Sequence, residues 1–148
     1  MRRALLITAC CGMLLASPTE AQPAPEQADP PAEVVVVDEQ HLELLARVIF
    51  TEARGEPFEG QVAVGAVAVN RLKDPRWPDD LREVLLAKGQ FAPPTEVSDE
   101  TRRAALLALQ GLDPTEGAIF FYNAEIATDR WIRTRPAVCT IGSHTFAR

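Results

Sequence analysis

The stretch Thr51-Glu52-Ala53-Arg54-Gly55-Glu56-Pro57 sets two carboxylic acids four residues apart across a break in the chain. Ahead of it Leu42, Leu45, Ala46, Ile49, Phe50 and Ala53 recur at helical spacing. At about 100° per residue, Glu52 then projects between Leu45 and Val48, on the flank of the apolar stripe. Partial burial there disfavours the carboxylate form and is expected to raise the pKa. A carboxylic acid that keeps its proton near neutral pH can hand it to a departing oxygen. The plainer alternative is a glutamate that snorkels off the helix edge, or one that pairs with Arg47 or Arg54. Glu56, Glu59, Glu125 and Asp129 are candidates for a second carboxylate. None stands out, because Gly55 breaks the helix between Glu52 and Glu56 and the two acids need not share a face.

Other reactive chemistry is thinly represented. His41, His144 and Cys139 are the soft ligands of the folded part, and they have neither a usual zinc spacing nor an HExxH motif, so no metal and no cofactor is expected. A thiol peptidase using Cys139 and His144 is conceivable, since the two fall diagonally on one face of a hairpin. Nothing in the sequence activates or orients that pair, however. Cys139 reads as a small core residue, His144 as a hydrogen-bonded core histidine, and His41 as a solvated helix residue.

The elements that must position Glu52 follow from caps and breakers. Asp38 caps a first helix, Gly55 stops it, and Pro57 suits the first turn of a second helix that runs toward Leu72. The centre of this second segment, Val-Ala-Val-Gly-Ala-Val-Ala-Val at 62–69, is apolar throughout and is compatible with a buried strand. Its Ala and Gly content, Pro start and length favour a central helix, in which Gly65 permits close packing. Asp79 or Asp80 caps a third helix that stops at Gly89, and Ser98 caps a fourth that stops at Gly111. Ala118–Tyr122 is a strand by propensity, and Val138–Ala147 is a hairpin around Gly142-Ser143 of type II′. In that register Cys139, Ile141, His144 and Phe146 share one face, and Thr140 and Thr145 share the other. The class is α+β: about four helices, then a small antiparallel sheet.

The N-terminus reads differently. Arg2 and Arg3 precede an uncharged, mostly apolar run from Ala4 to Ala16, and Ser17–Ala21 ends in small residues ahead of Gln22. Residues 1–21 are therefore expected to be a signal peptide, and the protein to be exported to the periplasm or cell envelope. A variant is a lipoprotein anchored through Cys10, since Ile7-Thr8-Ala9-Cys10 loosely resembles a lipobox. Residues 22–37 form a Pro-rich linker expected to be disordered, with four prolines between Gln22 and Glu33. The folded domain is residues 38–148. Removing the signal takes away Cys10 and Cys11, which leaves Cys139 without an intrachain partner, and it moves the formal charge from −6 to −7. An acidic chain without basic patches argues against nucleic acid or an anionic membrane surface as a partner. No stable membrane insertion is expected after cleavage, and protein partners are not specified.

The run Leu44–Arg71, with the later Gly89-Gln90-Phe91, Phe121-Tyr122-Asn123 and Ile141-Gly142-Ser143-His144-Thr145-Phe146, resembles the cell-wall hydrolase family of the spore cortex-lytic enzyme type. The resemblance covers roughly residues 40–148 and four ordered segments. It implies a lysozyme-like fold and peptidoglycan as the partner. The implied reaction cleaves the bond between N-acetylmuramic acid and N-acetylglucosamine, as lytic transglycosylases do. It also implies that Glu52, the first Glu of EARGE, is the catalytic acid. With no second carboxylate in evidence, Glu52 would protonate the leaving oxygen and then serve as the base that closes a 1,6-anhydro ring; hydrolysis by a positioned water is the alternative. From the remaining segments, Gln90 and Asn123 are expected to bind N-acetyl and hydroxyl groups, and Phe91, Tyr122 and Trp131 to stack on sugar faces. Tyr122 could instead hold the Glu52 carboxyl by its hydroxyl, and Gln61 could face the cleft or open the helix. A peptidoglycan-binding module without turnover, and a thiol- or metal-dependent amidase or peptidase, are the other functions these residues allow.

Overall fold

The computed structural model describes residues 38–148; the expected signal peptide and proline-rich linker lie outside the described residues. Four α-helices are followed by a three-stranded antiparallel sheet, the expected class. In α1 (Glu39–Ala53) the Asp38 carboxylate accepts the Gln40 N–H at 3.1 Å, and Glu39 in the first turn complements the positive end of the helix dipole. The helix ends at Arg54, and Gly55 adopts φ +87°, a conformation that costs glycine little and other residues more. In α2 (Phe58–Leu72), Pro57 occupies the capping position just outside the first turn expected for it. The short α3 (Leu81–Leu86) is capped by Asp80, which accepts the Glu83 N–H at 3.0 Å. Ser98 and Thr101 form a reciprocal capping box on α4 (Asp99–Leu109).

The apolar segment at 62–69 is helical, and from Val62 to Ala68 every residue is buried. A Cβ placed on Gly65 would lie 2.9 Å from Ala108 Cβ and 3.0 Å from Ile49 Cδ1. The missing side chain is what lets α1 and α4 close onto α2. Leu45, Val48, Ile49, Val64, Val67 and Leu85 complete a core in which each fully buried side chain contributes about 1.5–3 kcal/mol.

The sheet comprises β1 (Phe120–Asn123), β2 (Ala137–Ile141) and β3 (His144–Ala147) in the order β1-β3-β2, so the last strand in sequence is the central one. Pairing of Cys139 with Phe146, Thr140 with Thr145 and Ile141 with His144 reproduces the expected hairpin faces. Gly142 has φ +60° and Ser143 does not, as a type II′ turn requires. Helices and sheet are joined by polar contacts. Asn70 and Arg71, near the end of α2, reach across: Asn70 donates to Asp113 at 2.8 Å and to the Ala118 carbonyl at 3.1 Å, and Arg71 Nε donates to the Ile119 carbonyl at 2.8 Å. The Asp113 carboxylate also accepts from Thr115 N–H (2.8 Å), Thr115 Oγ1 (2.6 Å) and Gly117 N–H (2.7 Å). Burial pulls the Asp113 carboxyl upward, but these donors outweigh it and hold it below the usual range. Among the described residues, no helix is long and apolar enough to cross a membrane.

Candidate active site

A cavity of about 840 Å³ opens between the helices and the sheet. Glu52, from the last turn of α1, stands half-buried in its wall. Its Oε1 accepts the backbone N–H of Ala92 at 2.5 Å, which leaves Oε2 for a proton or a ligand. The loop carrying Ala92 is fastened to α1 twice more: Thr95 N–H donates to Thr51 Oγ1 at 3.3 Å, and Arg47 donates to the Thr95 carbonyl at 3.0 Å. Arg47 and Arg54, the candidate partners for Glu52, are engaged elsewhere. Arg47 pairs with Glu43 at 2.8 Å, and the Arg54 guanidinium lies 5.7 Å from the Phe50 ring centre. Among the described residues, Glu52 forms no ion pair within 4.0 Å.

The charge of Glu52 acts on Arg71, which is 3% exposed and also in the cavity wall. Its guanidinium lies 4.1 Å from the Trp77 ring centre and 4.9 Å from that of Phe91, a placement that supplies cation–π attraction where water is excluded. Burial pushes Arg71 down to about 10 and the charge of Glu52 acts in the opposite sense, so the group stays cationic at neutral pH. Sequence alone assigns Arg71 no place in a site. The signal the sequence holds is an arginine next to the last residue of a largely apolar, buried helix.

Glu56 does not join Glu52. Its carboxylate accepts the Ser143 N–H at 2.9 Å and the Ser143 hydroxyl, so it clamps the hairpin turn to the α1–α2 junction. The Ser143 hydroxyl and amide, helped by His144, hold the Glu56 carboxyl below its usual range against a burial effect. A Cβ on Gly142 would overlap this carboxylate, so the turn needs glycine for space as well as for φ. Glu59 and Glu125 are exposed and line no part of the cavity, whereas Asp129 does, with its Oδ1 accepting the Trp131 N–H at 2.7 Å.

Of the other residues singled out by sequence, Gln90, Tyr122, Asn123 and Trp131 line the same cavity as Glu52. Asn123 Oδ1 is occupied by the Glu125 N–H at 2.9 Å, which leaves its Nδ2 as a donor. Trp131 is 52% exposed at the rim, edge-on to Phe120 at 5.3 Å and covered by Arg135 at 4.7 Å. Among the described residues Tyr122 makes no hydrogen bond to Glu52; the Ala92 amide has that position. Gln61 and Phe91 are not in the cavity wall. Gln61 is 2% exposed and donates to the Glu56 carbonyl at 3.2 Å, because the helix start turns it inward. Phe91 packs on Arg71 and lies 6.1 Å from Phe121. Cys139 and His144 do share a sheet face, yet Cys139 Sγ lies 3.9 Å from the Pro114 carbonyl, outside the cavity. Burial, with Glu116, Asp113 and Glu59 nearby, pushes the Cys139 thiol up and so suppresses the nucleophilic thiolate. His144, expected to be a hydrogen-bonded core residue, lies in the cavity wall, and its buried Nδ1 has no partner among the described residues.

Comparison with known proteins converges on one group. A family model described as Cell Wall Hydrolase matches residues 55–147, beginning three residues after Glu52. The spore cortex-lytic enzyme of Halalkalibacterium halodurans is 43% identical over 111 residues, which are 71% of this chain and 34% of that protein. The Bacillus subtilis spore cortex-lytic enzyme is 42% identical over 114 residues, 71% of this chain and 36% of that protein. The chain thus matches only about a third of the length of these relatives. Among solved structures, the catalytic domain of the Bacillus cereus SleB protein superposes with a TM-score of 0.71 at 33% identity, covering 75% of this chain and 91% of that one. The catalytic domain of the germination-specific lytic transglycosylase SleB of Bacillus anthracis also gives 0.71, at 32% identity, covering 77% and 98%. The fold is therefore that of these domains, lysozyme-like as expected.

Proposed function

Because this chain belongs to the cell wall hydrolase family, we propose that it cleaves peptidoglycan glycan strands between N-acetylmuramic acid and N-acetylglucosamine, in the manner of a lytic transglycosylase. The observation that carries this is Glu52: a half-buried carboxyl in the wall of a sugar-sized cavity, oriented through Oε1 by one amide and, among the described residues, in no ion pair. An alkoxide is a poor leaving group, so the glycosidic oxygen must gain a proton as its bond to C1 breaks. Glu52 Oε2 supplies that proton. The C6 hydroxyl of the muramic unit then bonds to C1 and returns its proton to Glu52, closing a 1,6-anhydro ring with no net gain or loss of protons. Arg71, cationic in the same cavity wall, is stabilised by the charge of Glu52.

The rim suits a glycan. Trp131 offers a half-exposed ring for a sugar face, and Gln90 and Asn123 offer amides to its polar groups. Action on the wall fits export of residues 22–148 to the periplasm or cell envelope. The test is digestion of purified sacculi by wild type and Glu52→Gln, read by mass spectrometry. Wild type should release muropeptides with anhydro ends, one water lighter than reducing ends, and the variant should be slower by about 10²–10⁴-fold. Equal release by both proteins would sink the acid role. Binding by both without release would establish a binding module, and freed stem peptides with intact glycans an amidase or peptidase.

A further inference from the structure

His144 is 8% exposed, lies in the cavity wall, and finds no hydrogen-bond partner for its buried Nδ1 among the described residues. Its ring stands edge-on to Phe121 at 5.2 Å and to Phe146 at 6.3 Å, which fixes its plane. A neutral imidazole carries one N–H and one bare nitrogen. Burying an N–H without an acceptor costs about 1–3 kcal/mol, and orphaned buried donors are rarer than under-used acceptors. The arrangement therefore favours the bare nitrogen at the buried Nδ1 and the proton at Nε2, the ring nitrogen left to the cavity. His144 is directly opposite Asn123 in the β1–β3 register, and Asn123 has its Oδ1 already occupied and its Nδ2 free to donate. The sheet wall of the cavity thus carries two adjacent N–H donors, facing the same space as Glu52 on the helical wall.

We infer that His144 is a substrate-positioning and specificity residue: as a neutral donor through Nε2–H, beside Asn123 Nδ2, it holds the carbonyl oxygen of an N-acetyl group on the bound glycan. An acetamido carbonyl is the strongest neutral acceptor on such a strand and can take two donors at once. The inference rests on the glycan reading above and adds to it the feature of the sugar that the sheet wall selects. The charged and titratable groups around the same space are Glu52 from α1, Arg71 from α2, Tyr122 from β1, Arg76 and Asp129 from the loops, and Glu56 behind the hairpin. None of them is needed to hold the Nε2 proton.

Two measurements test this on the full chain. The sequence has only two histidines, so long-range ¹H–¹⁵N spectra resolve His144, with His41, 3.3 Å from Asp38, as the internal control. The Nε2–H tautomer is expected for His144, and its resonance should move when N-acetylglucosamine tetramer is added. A proton on Nδ1, or an Nε2 resonance indifferent to bound tetramer, overturns the proposal without any variant having to fold. The second measurement compares binding of that tetramer with its N-deacetylated counterpart in wild type and His144→Phe, which keeps the aromatic packing and removes the donor. Preference for the N-acetylated sugar should fall by about five- to tenfold in the variant, the worth of one net hydrogen bond. An unchanged preference overturns the role of His144 while leaving the loss of activity in Glu52→Gln intact. Wild type that binds neither sugar removes the glycan reading itself.

Discussion

The helical half and the sheet half of this molecule are held together by different forces. Around α2 the contacts are apolar and close, with Gly65 and the alanines setting the spacing. The sheet half shares that core through Phe146 and is fastened further by polar nodes: Asp113 gathers four donors, and Glu56 clamps Ser143 across 87 residues of sequence. The cavity lies on the seam between them. The proposed acid, Glu52, comes from the helical side, and most of the groups proposed to face the sugar come from the sheet side. Glu52 and Glu56 make the contrast within five residues, one open to a ligand and one spent on architecture.

Exchanging each acid for its amide should separate the two roles most sharply. Glu52→Gln should remove about 10²–10⁴-fold of activity and leave the melting temperature near that of wild type, since Gln can still accept the Ala92 N–H. Glu56→Gln should lower the melting temperature and retain most of the activity per folded molecule. If the amide at 56 abolishes turnover in a fully folded protein, the division between them fails. In the packed half, Gly65→Val should cost about 1–3 kcal/mol or more by overpacking against Ala108 and Ile49, seen as a lower midpoint in denaturant. In the polar half, Asp113→Ala should cost about 1–3 kcal/mol by leaving its donors unsatisfied, with the loss concentrated in β1 protection when followed by hydrogen exchange. The smallest effect is that of pH. Asp113 and Glu56 both titrate below their ordinary values of 3.8 and 4.5, so their stabilisation is complete above those values and is lost as pH falls through the lower folded-state values. The stability of Asp113→Asn combined with Glu56→Gln should therefore fall less steeply in acid than that of wild type.

The part of this structure that is local in sequence was legible. Asp38, Asp80 and Ser98 announced three helix starts, Gly55 one stop, and the alternation around Gly142-Ser143 the hairpin faces. Glu52 was legible for the same reason, since a helical period places a side chain on a face. What periodicity does not encode is which distant loop closes over that face. The Ala92 amide on Glu52 spans 40 residues and the Arg71 contact with Ile119 spans 48, and neither leaves a mark on its own segment. Arg71 is therefore not singled out by its own segment, although burial between two rings makes it part of the cavity wall. His144 was rightly placed on an apolar face, but burial was mistaken for satisfaction. Only the positions of its neighbours show that its Nδ1 has no partner among the described residues.

The placement of β3 has a consequence for how the molecule comes into being. Strands β1 and β2 touch only through it, and it is synthesised after both. While the chain is emerging, the four helices can gather about their small residues, but the opposite side of the cleft has nothing to pair with until residues 144–147 arrive. The sheet wall of the cleft therefore forms only once β3 is in place between its two neighbours.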